Sequence, residues 1–87
     1  MTQKEFEERM QKENLKMKDF SLEIGVLMKA TDVLGIYNDY GTWKIYQTDD
    51  RNSTPFICHE IADENEAFDK LYRMIKTQIK MENFSKY

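Results

Sequence analysis

The sequence predicts an α+β fold, an antiparallel β-meander of three to four strands with an N-terminal helix and a longer C-terminal helix packed on the sheet. Two β-rich runs flank a polar turn that ends in Gly41. Glycine adopts the positive φ that short hairpin loops require, so this pattern is typical of a hairpin. A strongly amphipathic stretch follows near the C-terminal end. With 87 residues, the expected organisation is a single domain over residues 1–87.

The first element predicted is a helix over residues 3–18. This stretch is rich in Glu, Lys, Gln, Met and Arg and contains neither Gly nor Pro. Phe6, Met10 and Met17 share one face of such a helix. The apolar stripe is thin, so we expect a helix that docks loosely.

Residues 20–30 allow two interpretations. Phe20, Leu22 and Ile24 alternate with polar residues, which favours a strand from about residue 22 to residue 28. A short helix that runs through Ala30 is the alternative. Gly25 counts against that helix, because glycine is a poor helix former.

Three further β-rich runs predict strands at residues 33–38, 42–48 and 56–61. In the middle run, Trp43 and Ile45 are expected to face the core, which places Tyr46 on the open face of the sheet. Gly35 removes a side chain from the preceding strand, and this predicts a bulge or the close approach of another element. The short connections favour a meander.

The last predicted element is a helix from about residue 64 to residue 81. Its apolar positions fit one helical face, and they are Ala67, Phe68, Leu71, Tyr72, Ile75 and Ile79. Asp63 can cap the N-terminus, with Glu66 three residues later. The apolar stripe must be buried, and the sheet face that carries Trp43 and Ile45 is the surface that can bury it. Residues 82–87 either continue this helix or fray.

Negative charge is concentrated on the predicted sheet and its loops. The whole chain has a net charge of −3, whereas residues 20–63 carry three Lys or Arg against seven Asp or Glu, a net charge of −4. Binding to nucleic acid needs clustered Lys and Arg, so we expect no nucleic-acid partner. The acidic sheet permits a basic protein partner. Alternatively, these carboxylates only keep a small sheet soluble.

No set of residues predicts catalysis, a metal or a cofactor. Cys58 is the only cysteine, which excludes an intrachain disulfide and a cysteine-based zinc site. His59 is its neighbour on a predicted strand, so the two side chains should point to opposite faces. The pair Asp49-Asp50 lacks the alternating oxygen ligands of a calcium loop. We therefore expect a protein that is not an enzyme and that binds no cofactor.

The sequence also indicates where the protein acts. The N-terminal residues are polar and lack the apolar core of a signal peptide. No apolar run approaches the roughly 20 residues that span a bilayer. We expect a cytoplasmic protein with no membrane partner.

Aromatic residues supply the candidates for a protein interface. Aromatic side chains that remain on an open sheet face and are rimmed by acids are typical of binding surfaces. The interface candidates are Tyr40, Tyr46, Asp49, Asp50 and Glu60. Alternatively, Tyr46 lines a sheet edge and Tyr40 is only a turn residue. The oligomeric state does not follow from the sequence.

Part of the chain, about residues 41–75, resembles small immunity proteins of bacterial polymorphic toxin systems. The resemblance lies in a strand that reads glycine, tryptophan, basic, aliphatic and tyrosine (residues 41–46), an Asp-Asp-Arg turn (residues 49–51) and an acidic helix start that runs into Ala-Phe and Leu (residues 62–71). It implies a cytoplasmic protein that is not an enzyme and that binds a cognate toxin directly. Such binding would block the active site of the toxin or the path of its substrate.

Two other classes of function remain open from the sequence. One is a phage- or host-encoded regulator or inhibitor that binds a larger protein. The other is a small structural subunit that associates with itself. An acidic sheet surface would suit a basic toxin domain, such as a nuclease that binds phosphate.

Overall fold

A computed structural model describes residues 1–84 as two helices and one four-stranded sheet. The elements are α1 (Gln3–Lys12), β1 (Ser21–Ile24), β2 (Val33–Asp39), β3 (Thr42–Gln47), β4 (Phe56–Ile61) and α2 (Glu64–Phe84). The strands lie in the order β1-β2-β3-β4. The predicted α+β class is confirmed. The last three residues of the predicted C-terminal tail, residues 85–87, lie outside the described residues.

The prediction of a purely antiparallel meander is wrong at the first strand. β3 is antiparallel to both of its neighbours, but β1 runs parallel to β2, with Ile24 opposite Ile36. β1 also ends at Ile24 rather than near Met28, because Gly25 takes a φ of 94° and turns the chain out of the strand. Residues 25–32 then return the chain to the end of the sheet at which β1 began. Neither the longer strand nor the alternative helix forms here.

α1 begins with a capping box and ends earlier than predicted, at Lys12. The Thr2 hydroxyl accepts a hydrogen bond from the Glu5 N–H at 3.2 Å, and the Glu5 carboxylate accepts one from the Thr2 N–H at 2.8 Å. Phe6 is fully buried, and its ring centroid lies 5.3 Å from that of Phe68 in α2. Phe6 is therefore the side chain of α1 that enters the core, and the partly buried Met10 packs against that core.

A polar cluster around Glu13 adds to this docking. The Glu13 carboxylate accepts hydrogen bonds from Arg9 Nε and from the Tyr72 hydroxyl, each at 2.7 Å, and Lys76 Nζ lies 3.7 Å away. The Arg9 guanidinium also lies 4.7 Å from the centroid of the Tyr72 ring. The hydrogen bond from Tyr72, followed by that from Arg9, lowers the pKa of Glu13. Glu13 therefore links the two helices.

The hydrophobic core lies between α2 and one face of the sheet, which we call the helix face. Ile36 and Ile45 are cross-strand partners on this face, and both are fully buried. The Trp43 ring meets the Phe68 ring edge to face, with centroids 5.1 Å apart. Leu71 of α2 is fully buried in the same cluster. The predicted apolar stripe of α2 and its packing on Trp43 and Ile45 are confirmed.

A carboxylate accepts backbone hydrogen bonds near each end of α2. Asp63 caps the N-terminus as predicted, since its carboxylate accepts a hydrogen bond from the Glu66 N–H at 2.9 Å. Near the other end, Glu82 is only 6% exposed. Its carboxylate accepts hydrogen bonds from the N–H groups of Lys18 and Asp19, at 2.8 and 2.9 Å. α2 therefore holds the segment that leads into β1.

The pKa of Glu82 reflects two opposing influences. Burial, the largest single influence, raises it. The two backbone N–H donors and the Gln78 side-chain amide, 3.1 Å away, stabilise the charged form and together outweigh burial. The pKa of Glu82 therefore lies below its usual value.

Replacing Leu71 tests the assignment of the core. We expect Leu71→Ala to lower the free energy of unfolding by about 2–5 kcal/mol, because it leaves a cavity beneath α2. Urea denaturation followed by the fluorescence of Trp43 measures the change. Arg73→Ala, at an exposed position on the same helix, is the matched control and should stay within about 0.5 kcal/mol of the wild type. An equally small change for Leu71→Ala would contradict the proposed core.

Glu82 should make stability depend on pH. A carboxylate whose pKa is lower in the folded state stabilises the fold above its unfolded pKa, and this contribution is lost as the pH falls through the folded pKa. At neutral pH, Glu82→Gln should reduce the free energy of unfolding by about 1–3 kcal/mol, because the amide cannot accept both backbone hydrogen bonds. The difference from the wild type should shrink below about pH 4.

Urea denaturation of the two proteins between neutral and acidic pH measures this effect. Glu8→Gln removes an exposed carboxylate from α1 and serves as the control. A Glu82→Gln deficit that is the same at every pH would show that the charge of Glu82 does not contribute.

Candidate functional site

The face of the sheet turned away from α2, which we call the outer face, is the candidate site. Alternation along the strands and their register place on it Glu23, Gly35, Tyr37, Lys44, Tyr46, Ile57 and Glu60. Tyr46 lies near the centre, opposite Gly35 on β2 and Ile57 on β4.

Tyr46 lies on the predicted face, but the expectation that it is open to solvent is wrong. Its side chain is fully buried. The ring lies against Gly35 so closely that a Cβ atom at that position would overlap it. The Tyr37 ring packs on it with centroids 5.9 Å apart. The close approach predicted at Gly35 is therefore confirmed, and the approaching group is Tyr46 itself.

The Tyr46 hydroxyl fastens the segment that follows β1. It donates a hydrogen bond to the carbonyl oxygen of Val26 at 2.7 Å and accepts one from the Met28 N–H at 2.9 Å. Burial raises the pKa of Tyr46, so the hydroxyl stays protonated and able to donate. Residues 26–28, which we call the apolar loop, are thereby held over the outer face.

The apolar loop displays hydrophobic side chains to solvent. Its residues Val26, Leu27 and Met28 are 49%, 43% and 37% exposed. Ile57, the cross-strand partner of Tyr46, is a fourth apolar side chain on this face, and it is 41% exposed. Scattered exposed apolar side chains are normal, but three consecutive ones held over a sheet face that carries a fourth mark an interaction surface. We call these four side chains, with the carboxylates of Glu23 and Glu60, the loop surface.

The charged groups of the outer face are mostly carboxylates. Lys44 Nζ lies between Asp39, at 2.7 Å, and Glu60, at 3.6 Å. The hydrogen bond with Asp39 raises the pKa of Lys44. The single positive charge of Lys44 is therefore outnumbered by the carboxylates of Asp39 and Glu60. Glu23 adds a third carboxylate, whose charge also raises the pKa of Tyr46. The outer face is therefore net negative and complements a basic surface.

The structure does not bring the five predicted interface residues into one patch. Tyr40 is fully exposed in the β2–β3 turn, where it and Gly41 take φ values of 51° and 93°. Asp49 and Asp50 are exposed beyond the opposite end of β3, roughly 20 Å along the strand. Asp49 also accepts a hydrogen bond from the Asn52 N–H at 2.6 Å, which shapes the turn. Of the five, only Glu60 is an exposed part of the loop surface.

The apolar loop was not predicted, because its residues were assigned to the end of the first strand. A signal was present. The alternation of apolar and polar residues stops at Gly25, and a continuous apolar run follows it. A strand pattern that loses its period of two after a glycine indicates that the chain leaves the sheet there.

Cys58 and His59 do not form a nucleophile and base. The register of β4 slips between His59 and Ile57, which makes Cys58 the extra residue of a β-bulge. Its Sγ lies 4.0 Å from Gln47 Oε1, a weak contact. Burial raises the pKa of the Cys58 thiol, and this disfavours the reactive thiolate.

Over residues 1–84, no three His, Cys, Asp or Glu side chains are arranged to hold a metal ion. None of its helices is long and apolar enough to cross a membrane. Comparison of the chain with protein-family models, curated proteins and solved structures finds no match.

Removing the Tyr46 hydroxyl tests how the apolar loop is held. Tyr46→Phe keeps the ring on Gly35 but leaves the Val26 carbonyl and the Met28 N–H without their partner. We expect the free energy of unfolding to fall by about 1–3 kcal/mol. The Met28 amide should exchange its hydrogen faster, which NMR measures. Tyr37→Phe, on the same face, is the matched control, and unchanged protection of Met28 in Tyr46→Phe would contradict this role.

Proposed function

We propose that this chain is a protein-binding module without enzymatic activity, and that it binds its partner through the loop surface. One observation carries the proposal. The buried Tyr46 hydroxyl fixes a loop whose three consecutive apolar side chains point to solvent. The fold itself gains little from exposing these side chains, whereas an interface gains from burying them.

Preorganisation favours tight binding by such a loop. Burying one side chain of the size of Val, Leu or Met contributes about 1.5–3 kcal/mol when it is removed fully from water. Ordering a flexible loop on binding would offset part of that gain. Because two hydrogen bonds already order residues 26–28, less of the free energy gained by burial is lost to ordering the loop.

Charge indicates the kind of partner. Glu23, Asp39 and Glu60 outweigh Lys44 on the outer face, so a partner with Lys or Arg around an apolar centre fits best. We further propose that this partner is a basic toxin domain and that the chain is a cytoplasmic immunity protein. The resemblance of residues 41–75 to such proteins supports this finer proposal. Inhibition would follow from occupancy, since the bound chain would cover the active site of the toxin or the path of its substrate.

Affinity capture of the tagged chain from its native cells, followed by co-expression with the partner that is recovered, tests the proposal, which expects that partner to carry a toxin domain. We expect a complex of one copy of each chain, and we expect cells that express the toxin to grow only when this chain is present. Leu27→Asp should abolish both results, because it places a charge in the centre of the loop surface. Met81→Asp is the matched control, since Met81 is an apolar residue of α2 that is 60% exposed.

The possible results distinguish the binding surface, the immunity function and the alternative regulator class from one another. Rescue of growth by Leu27→Asp equal to that by the wild type would show that the loop surface is not the binding site. Absence of both a complex and rescue by the wild-type chain would rule out immunity against that toxin. A complex with a larger protein that is not a toxin would favour the regulator or inhibitor class.

A further inference from the structure

A second apolar surface lies near the end of α2, and we call it the end groove. It is an open groove of about 640 Å³ between the segment after α1 and the last turns of α2. Leu15, Ile79 and Phe84 supply its apolar lining, and Phe84 is 76% exposed. Lys76 and Lys80 also line it. Glu13 lies 3.7 Å from Lys76, so the excess positive charge among the described lining residues comes from Lys80. The end groove is therefore both apolar and basic.

The loop surface and the end groove are opposite in charge. Beside the apolar loop, Lys29 and Asp32 balance each other, and Glu60 is paired with Lys44 at 3.6 Å, so Glu23 is the carboxylate that leaves the loop surface negative. Pairing two loop surfaces would place carboxylates against carboxylates, and pairing two end grooves would place lysines against lysines. Only a loop surface against an end groove buries apolar side chains on both sides while it joins opposite charges.

We propose that the end groove binds the apolar loop of a second copy of this chain, so that copies associate head to tail. Each copy carries the loop on the outer face of the sheet and the groove on the helix side. One copy can therefore use both surfaces at once, and the contact is heterologous. The inference does not rest on the proposed function, although a toxin-like partner and a second copy would compete for the same loop.

Sedimentation velocity on the whole chain tests the association. Because the contact is small, we expect weak association, with a sedimentation coefficient that rises between about 10 µM and about 1 mM protein. Added salt should reduce the rise, since it screens the carboxylates and lysines. A wild-type chain that stays monomeric over the whole range would overturn the proposal.

A pair of variants tests the head-to-tail geometry. Leu27→Asp places a charge in the apolar loop, and Phe84→Asp places a charge in the end groove. Both positions are exposed. Each variant alone should associate about tenfold more weakly or worse. A mixture of the two should form dimers, because the intact groove of one accepts the intact loop of the other. A Phe84→Asp protein that associates as well as the wild type would overturn the proposal, and Met81→Asp is the control that should behave as the wild type.

Charge exchange gives an independent test should either Asp variant fold poorly, which the fluorescence of Trp43 would reveal. Glu23→Lys and Lys80→Glu should each weaken association, and the two substitutions in one chain should restore it. Failure of the double variant to recover would overturn the assigned contact. Phe84→Asp leaves the apolar loop intact, so it should lose self-association and keep growth rescue, and the two losses can therefore be told apart.

Discussion

The contact between the Tyr46 ring and the bare backbone of Gly35 determines how the outer face of this sheet is built. Because Gly35 has no side chain, the ring can lie against β2 while its hydroxyl reaches the segment after β1. Parallel neighbours usually need about a dozen residues or more between them. Here residues 25–32 suffice, since β1 has only four residues and the chain returns over a short distance. Tyr46 holds this return in place.

The two faces of the sheet are stabilised in different ways. On the helix face, the Phe68 ring packs against the rings of Phe6 and Trp43, and the buried aliphatic side chains complete the core. On the outer face, one tyrosine ring and its hydroxyl hold residues 26–28. Local opening is easiest where few buried contacts oppose it. The apolar loop should therefore open more readily than the core, and the hydroxyl of Tyr46 sets how often it does.

Local signals predicted most of the fold, and long-range contacts account for the rest. The cap at Asp63 and the stripe of α2 act within a few residues, so the sequence reveals them. The segment that returns the chain after β1 is held by a hydrogen bond between Met28 and Tyr46, 18 residues apart, which no periodic pattern records. A period of two likewise places Tyr46 on a face, but it does not show whether another segment covers that face. The candidate site was therefore only partly predictable, through Glu60.

Tyr46 and Leu27 have different roles in the apolar loop, so the two roles can be tested separately. Tyr46 belongs to the fold and to the site at once, since its ring is buried and its hydroxyl shapes the apolar loop. Leu27 lies in the same loop but outside the hydrophobic core, with 43% of its surface exposed. Its side chain therefore contributes little to stability in the isolated chain. A loss of association on changing Leu27, with unfolding unchanged, would separate recognition from folding in a way that no change at Tyr46 can.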